Sequence, residues 1–152
     1  MRGRRLRPYF ILFAFVLAVL SPPVYADDPV IPQSYTCTFK TGVNASFKAG
    51  KAEAKITKKF LGDKSVVVFD RIDPRAGAAR VIRGVETENI TMFMTDRLPT
   101  FLERVYNGGI IFTTVYPKAM DGRIYAVRST HLDRIGIEPL PGQGYGVCEA
   151  KE

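Results

Sequence analysis

His131 is the only histidine among 152 residues, and it narrows the available chemistry at once. A zinc site built from several histidines is out of reach, and a thiolate site would draw on only two cysteines, Cys37 and Cys148. Ser129, His131 and Asp133 supply a nucleophile, a base and an orienting acid, the right residue types for acyl transfer. Their alternate spacing can place them on one face of a strand. Neighbours two apart on a strand, however, project in parallel about 6.6 Å apart, so their side chains do not converge end to end. No strand–turn–helix elbow surrounds Ser129 either. The three are therefore read as a polar cluster on an outward face, and no catalytic residue is assigned.

The remaining candidates point to structure more than to chemistry. Asp70 and Asp73 flank a turn, and Glu86 and Glu88 stand at the entry of a strand-like run. Paired carboxylates can serve a glycosidase, where their separation decides the mechanism, but solvated turn acids are the simpler reading. Gly142-Gln143-Gly144-Tyr145-Gly146 is glycine-rich but opens no helix, so it lacks the context of a dinucleotide-binding loop. Close approach of another backbone, or a bulge before a final strand, accounts for it better. Lys48, Lys51, Lys55, Lys58 and Lys59 form the one basic cluster. It could meet an anionic partner such as a phospholipid headgroup or an acidic protein surface, or simply guard an exposed sheet edge. Aromatics do not interleave with it as they do on a single-strand nucleic-acid platform, and no cofactor or metal is expected.

The ends of the chain set the compartment. Arg2, Arg4, Arg5 and Arg7 precede an apolar run, Tyr9 to Leu20, then the Ser21-Pro22-Pro23 break and Val24-Tyr25-Ala26. This order is that of a cleavable secretory signal over residues 1–26, and the run is shorter than the roughly 20 residues a membrane-spanning helix needs. Of 22 basic and 15 acidic residues, four arginines belong to that signal, so the mature chain carries 18 against 15, a net +3. That is an ordinary surface, not the footprint of a nucleic-acid binder. An exported chain, periplasmic or extracellular, meets an oxidising environment, which predicts a Cys37–Cys148 disulfide. Its long loop would contribute on the order of 4 kcal/mol.

Beyond an extended lead-in at 27–33, residues 34–152 read as one β domain. Ser34 to Lys40 alternates with Tyr35, Cys37 and Phe39 on one face. Lys51 to Thr57 alternates with Ala52, Ala54 and Ile56 inward. Ser65 to Ile72, Ala78 to Val85, Glu88 to Thr95, Ile110 to Tyr116, Arg123 to His131 and Tyr145 to Ala150 follow as strands. Asn107-Gly108 suits a hairpin turn. Between Arg97 and Tyr106, Leu98, Phe101, Leu102 and Val105 also fit helical spacing, so a short helix at 97–106 is an alternative to a strand. Residues 133–143 read as a loop. Seven or eight short strands predict an antiparallel barrel or sandwich. A disulfide tying first strand to last favours the barrel.

The tail, Arg128-Ser-Thr-His131 followed by Pro141-Gly-Gln-Gly-Tyr-Gly-Val-Cys148, resembles the ends of small exported bacterial β proteins of unassigned function, a likeness covering the last third of the chain. In size, export and disulfide-tied β architecture the chain also resembles periplasmic lysozyme inhibitors. That family's serine- and glycine-rich inhibitory loop with its lysine is missing here, so no inhibitory residue is carried over. The functional expectation is a non-catalytic binding module of the cell envelope, recognising a protein or a surface. The alternative is a carrier of a small apolar ligand within the barrel, motivated by the aromatic and methionine content. A hydrolase ranks third.

Overall fold

The computed structural model describes residues 31–62, 65–95, 97–106, 108–116, 118–132 and 140–152. The signal segment and Asp133 lie outside them. The strands are β1 (Ser34–Lys48), β2 (Lys51–Thr57), β3 (Val66–Asp73), β4 (Ala78–Arg83), β5 (Glu86–Thr95), β6 (Leu98–Arg104), β7 (Ile110–Val115), β8 (Ile124–Leu132) and β9 (Leu140–Lys151). All pairings are antiparallel, in the order β2-β1-β3-β4-β5-β6-β7-β8-β9, and β9 closes back onto β1. The result is a closed eight-strand barrel, β1 and β3 to β9, with β2 as one extra strand. Among the described residues there is no helix. Leu98–Arg104 is strand β6, because alternate positions Pro99, Phe101 and Glu103 all turn to the interior. The helical spacing there arose from Leu98 and Leu102, which lie on the outer face and are only half-buried.

Two departures from the expected strand limits share one cause, the length of β1 and β9. β1 continues past Lys40 to Lys48, and β9 begins at Leu140 rather than Tyr145. The two pair from Ser34↔Lys151 to Asn44↔Gly142, with an irregularity between Phe39 and Thr41. This bulge shifts the alternation by one residue, so a strand whose odd positions face inward becomes one whose even positions do. Tyr35, Cys37 and Phe39 face the barrel before it, and Gly42 after it. Cys37 stands directly opposite Cys148, and the two are joined by a disulfide that ties the first barrel strand to the last.

An eight-strand barrel has an interior just wide enough for side chains to fill. Phe69 and Phe101 stack with ring centroids 4.2 Å apart, and Tyr35 meets Phe101 edge-on at 6.3 Å. Val67, Val81, Met92, Val115 and Ala126 complete the apolar core. On β9 the inward positions are Gly142, Gly144 and Gly146. The ring of Phe60, just after β2, occupies the space beside Gly142 and Gly144, and the ring of Phe39 that beside Gly146. A Cβ built on Gly144 would lie 2.3 Å from that ring, and one on Gly42 2.4 Å. The backbone N–H of Phe60 donates to the Lys40 carbonyl at 3.2 Å, which anchors the plug at the bulge. The glycine track is thus a seat for aromatic rings.

Candidate functional site

The aromatic core fills the middle of the barrel, around Phe69 and Phe101. At one end, where β4 meets β5 and β6 meets β7, the interior turns polar. Glu103 on β6 and Arg128 on β8 are fully buried, at 0% and 1% exposure. Sheet register explains how they meet: Glu103 pairs with Ile111, Ile111 with Thr130, and Arg128 sits one inward position below Thr130. Arg128 Nη1 donates to Glu103 Oε1 at 2.5 Å and Nη2 to Oε2 at 3.0 Å, a bidentate pair, and Nη1 also reaches Thr113 Oγ1 at 2.8 Å. Arg83, from the end of β4, donates a second guanidinium to Glu103 Oε2 and reaches Glu88 Oε2 at 3.1 Å. One buried carboxylate therefore holds two guanidiniums, the arrangement in which charge-assisted bonds are strongest. The Arg128 guanidinium also lies 6.0 Å from the centre of the Phe39 ring.

Beside this network opens a cavity of about 900 Å³, with Arg83, Glu88, Arg104 and Arg128 in its charged lining and Leu61 and Leu132 in its apolar lining. Arg128 Nε is buried and has no hydrogen-bond partner among the described residues. A buried donor left unmet costs roughly 1–3 kcal/mol, and this one has no surface open to the cavity. Of the two guanidiniums on Glu103, the one that a ligand can reach is that of Arg83, whose side chain is a quarter exposed.

None of these residues was assigned a role from sequence. The legible signal was slight: Arg128 and Glu103 each occupy an inward position of a strand otherwise carrying Ala126 and Thr130, or Phe101. Buried charges are rare unless paired, but a partner 25 residues away is invisible before the register is known.

Of the residues singled out in sequence, Glu86 and Glu88 lie at this site and the others elsewhere. Ser129 and His131 project from the outer face of β8, away from the mouth. His131 meets the Phe112 ring edge-on at 6.2 Å. Asp133, the third member of that cluster, is outside the described residues. Asp73 Oδ1 accepts from the N–H groups of Arg75 and Ala76, holding the β3–β4 turn. Asp70 faces Arg80 across strands, with Arg80 Nε donating at 2.7 Å, and that guanidinium holds the Asp70 carboxyl below its usual range. Glu88 and Glu86 border the mouth. Asp121 accepts from the Tyr125 hydroxyl at 2.5 Å, which lowers the acid's pKa and raises the phenol's.

The basic cluster falls on and beside the β1–β2 hairpin. Lys48 and Lys51 oppose each other at its tip, Lys55 follows on β2, and Lys58 and Lys59 are exposed just after it. Ala52, Ala54 and Ile56 do share a face, but that face is solvent-exposed rather than inward, because β2 lies outside the closed barrel. Among the described residues no group of three or more His, Cys, Asp and Glu could hold a metal ion. A second concavity of about 550 Å³ lies on the outer face, where Thr38, Val66, Tyr125, Tyr145 and Val147 meet. No family model, curated protein or solved structure matches this chain.

Proposed function

We propose that the protein is a non-catalytic, exported binding module of the cell envelope that receives its ligand at the open end of the barrel. The observation that carries this reading is the cavity beside the Arg83–Glu103–Arg128 network, to which the part-exposed Arg83 presents a guanidinium. Apolar side chains such as Leu61, Val67 and Leu132 lie here beside charged ones, and a few polar groups set among apolar ones are the usual make-up of a ligand site. The ligand that suits it has an apolar body and an acceptor group, such as a carboxylate or a carbonyl, aimed at Arg83. The residue types for nucleophilic catalysis, Ser129 and His131, sit on the opposite side of the β8 wall, which favours binding over turnover. The packed core, with Phe60 and Phe39 filling the glycine track, weighs against a carrier holding an apolar molecule deep in the barrel.

The test compares native and denaturing masses of the exported protein, followed by capture from envelope extract with wild type and with Arg83→Ala,Glu88→Gln. A discrete added mass or a captured partner that the mouth variant loses supports the reading. Retention of the same ligand by the variant moves the site off the mouth. A turnover abolished by Ser129→Ala,His131→Ala would overturn the non-catalytic assignment.

A further inference from the structure

The β1–β2 hairpin beyond the barrel is a two-stranded ribbon with unlike faces. Its cross-strand pairs are Val43↔Ile56, Ala45↔Ala54 and Phe47↔Ala52 on one face, and Asn44↔Lys55, Ser46↔Glu53 and Lys48↔Lys51 on the other. The bulge after Phe39 is what turns the apolar face outward, since every residue beyond it changes side. Ile56 is 79% exposed, and Lys51 to Ile56 are all exposed. A ribbon of two strands is marginal on its own. Among the described residues β1 is the only strand that pairs with β2, so the second edge of β2 carries no ladder.

That edge has a defined hydrogen-bonding phase. The loop joining the strands is the two residues Ala49 and Gly50, both at positive φ, as a primed hairpin turn requires. The closing pair of such a turn, Lys48↔Lys51, is the hydrogen-bonded one. Antiparallel ladders alternate, so the N–H and C=O groups of Ala52, Ala54 and Ile56 are turned to the open edge. A strand added there must match these even positions, which leaves few registers.

We propose that the protein forms a two-fold symmetric dimer through β2, with Ala54 opposite Ala54 of the partner subunit. This register sets Glu53 against the partner's Lys55, and Lys55 against the partner's Glu53. On the other face Ala52 meets Ile56 of the partner subunit, covering part of its exposed side chain. The neighbouring registers fail on charge. Placing Glu53 opposite itself also sets Lys51 against the partner's Lys55, and the register one step the other way sets Lys55 opposite itself. Like charges directly opposite are destabilising, and opposite ones stabilising.

Lysine on an edge strand ordinarily deters pairing. An edge guarded by repulsion alone would carry one sign, whereas β2 reads Lys51-Ala52-Glu53-Ala54-Lys55-Ile56, which is complementary to itself when reversed. Within the chain, Glu53 and Lys55 lie opposite neutral Ser46 and Asn44, so these cross-strand partners do not dictate their signs. The pairing rests on the charge of Glu53, which also interacts within its own chain, and not on any vacancy there.

Sedimentation equilibrium of the protein produced from its full-length chain tests this, with Glu53→Lys, Lys55→Glu and the double exchange. Wild type self-associates. Each single exchange weakens association about tenfold, because two symmetry-related pairs turn repulsive together. The double exchange restores it, an outcome that simple loss of fold would not give. Ala54→Cys supplies an independent readout, since the described cysteines are spent in the disulfide. Hydrogen-bonded antiparallel pairs stand about 5.5 Å apart at Cα, within disulfide range, so the Ala54→Cys protein cross-links two copies on mild oxidation. The Ala52→Cys protein does not, its counterpart lying four residues, about 14 Å, along the ladder. A strictly monomeric wild type, single exchanges without effect, or cross-linking at 52 rather than 54 would each overturn the proposal.

Discussion

Replacing Glu103 by Gln removes one negative charge while keeping the size and one carbonyl acceptor of the side chain. Its consequence follows from what surrounds it. Arg128 is 1% exposed and cannot turn to water. Its neutral acceptors would then be the one Gln carbonyl, which Arg83 also competes for, and Thr113 Oγ1 at 2.8 Å, and its Nε has no partner among the described residues. Arg83, by contrast, is a quarter exposed at its side chain and retains Glu88. The loss therefore concentrates on Arg128, an uncompensated buried charge. Breaking a buried pair in this way costs about 3–5 kcal/mol, a large share of the 5–15 kcal/mol that holds a domain together. The assay is urea unfolding followed by far-ultraviolet circular dichroism, reading a lower midpoint at unchanged slope. The companion variant Glu103→Leu,Arg128→Met removes both charges and should recover most of the loss, since apolar replacement of a whole buried pair is often neutral or stabilising. A Glu103→Gln protein within about 1 kcal/mol of wild type, or a double variant no more stable than the single, would refute the reasoning.

Three further outcomes follow from the same geometry. Reducing the Cys37–Cys148 bridge, whose residues are 111 apart in sequence, should lower stability by about 4–5 kcal/mol, read as a drop in Tm with reductant that Cys37→Ala,Cys148→Ala reproduces without it. Gly144→Ala sets a Cβ against the Phe60 ring and should cost about 1–3 kcal/mol through overpacking; adding Phe60→Leu should return part of that, and strict additivity in a double-mutant cycle would sink the plug interpretation. Asp70 has its pKa lowered in the folded state by Arg80, so its contribution is present above the unfolded value near 3.9 and is lost as pH falls through the folded one. Asp70→Asn should therefore flatten the acid limb of the stability-versus-pH profile and leave its shape unchanged above about pH 6.

Much of the barrel was legible because alternation is a local property. Tyr35, Cys37 and Phe39 on one face, the β-branched run at Val66 to Phe69, and the runs at Ala78, Glu88, Ile110 and Arg123 each declare a strand within a few residues. The two cysteines near the ends supplied a long-range clue, and the structure seats them opposite each other on β1 and β9. Element limits were poorer where turn residues lie inside strands. Gly42, Pro141 and Gly142 suggest a break, yet β1 and β9 run through them, and Phe60 fills the space that the two glycines leave. The segment at 97–106 was ambiguous because half-buried outer leucines repeat at four as readily as at two.

The sequence by itself determined an all-β chain, the approximate places of its strands, and a cysteine pair positioned to join the first to the last. Whether the sheet closes, which strand stays outside, and which charges are buried were decided by tertiary structure. Closure depends on β9 meeting β1 in a register that a one-residue bulge shifts, and that shift also decides that Ala52, Ala54 and Ile56 face solvent. The ion-pair network depends on Glu103 and Arg128, on strands two apart in the sheet, both pointing inward and one inward position apart in register. Local periodicity reports which side of a strand a residue takes, but only the closed barrel makes one side an interior and brings residues 25 apart into contact across it.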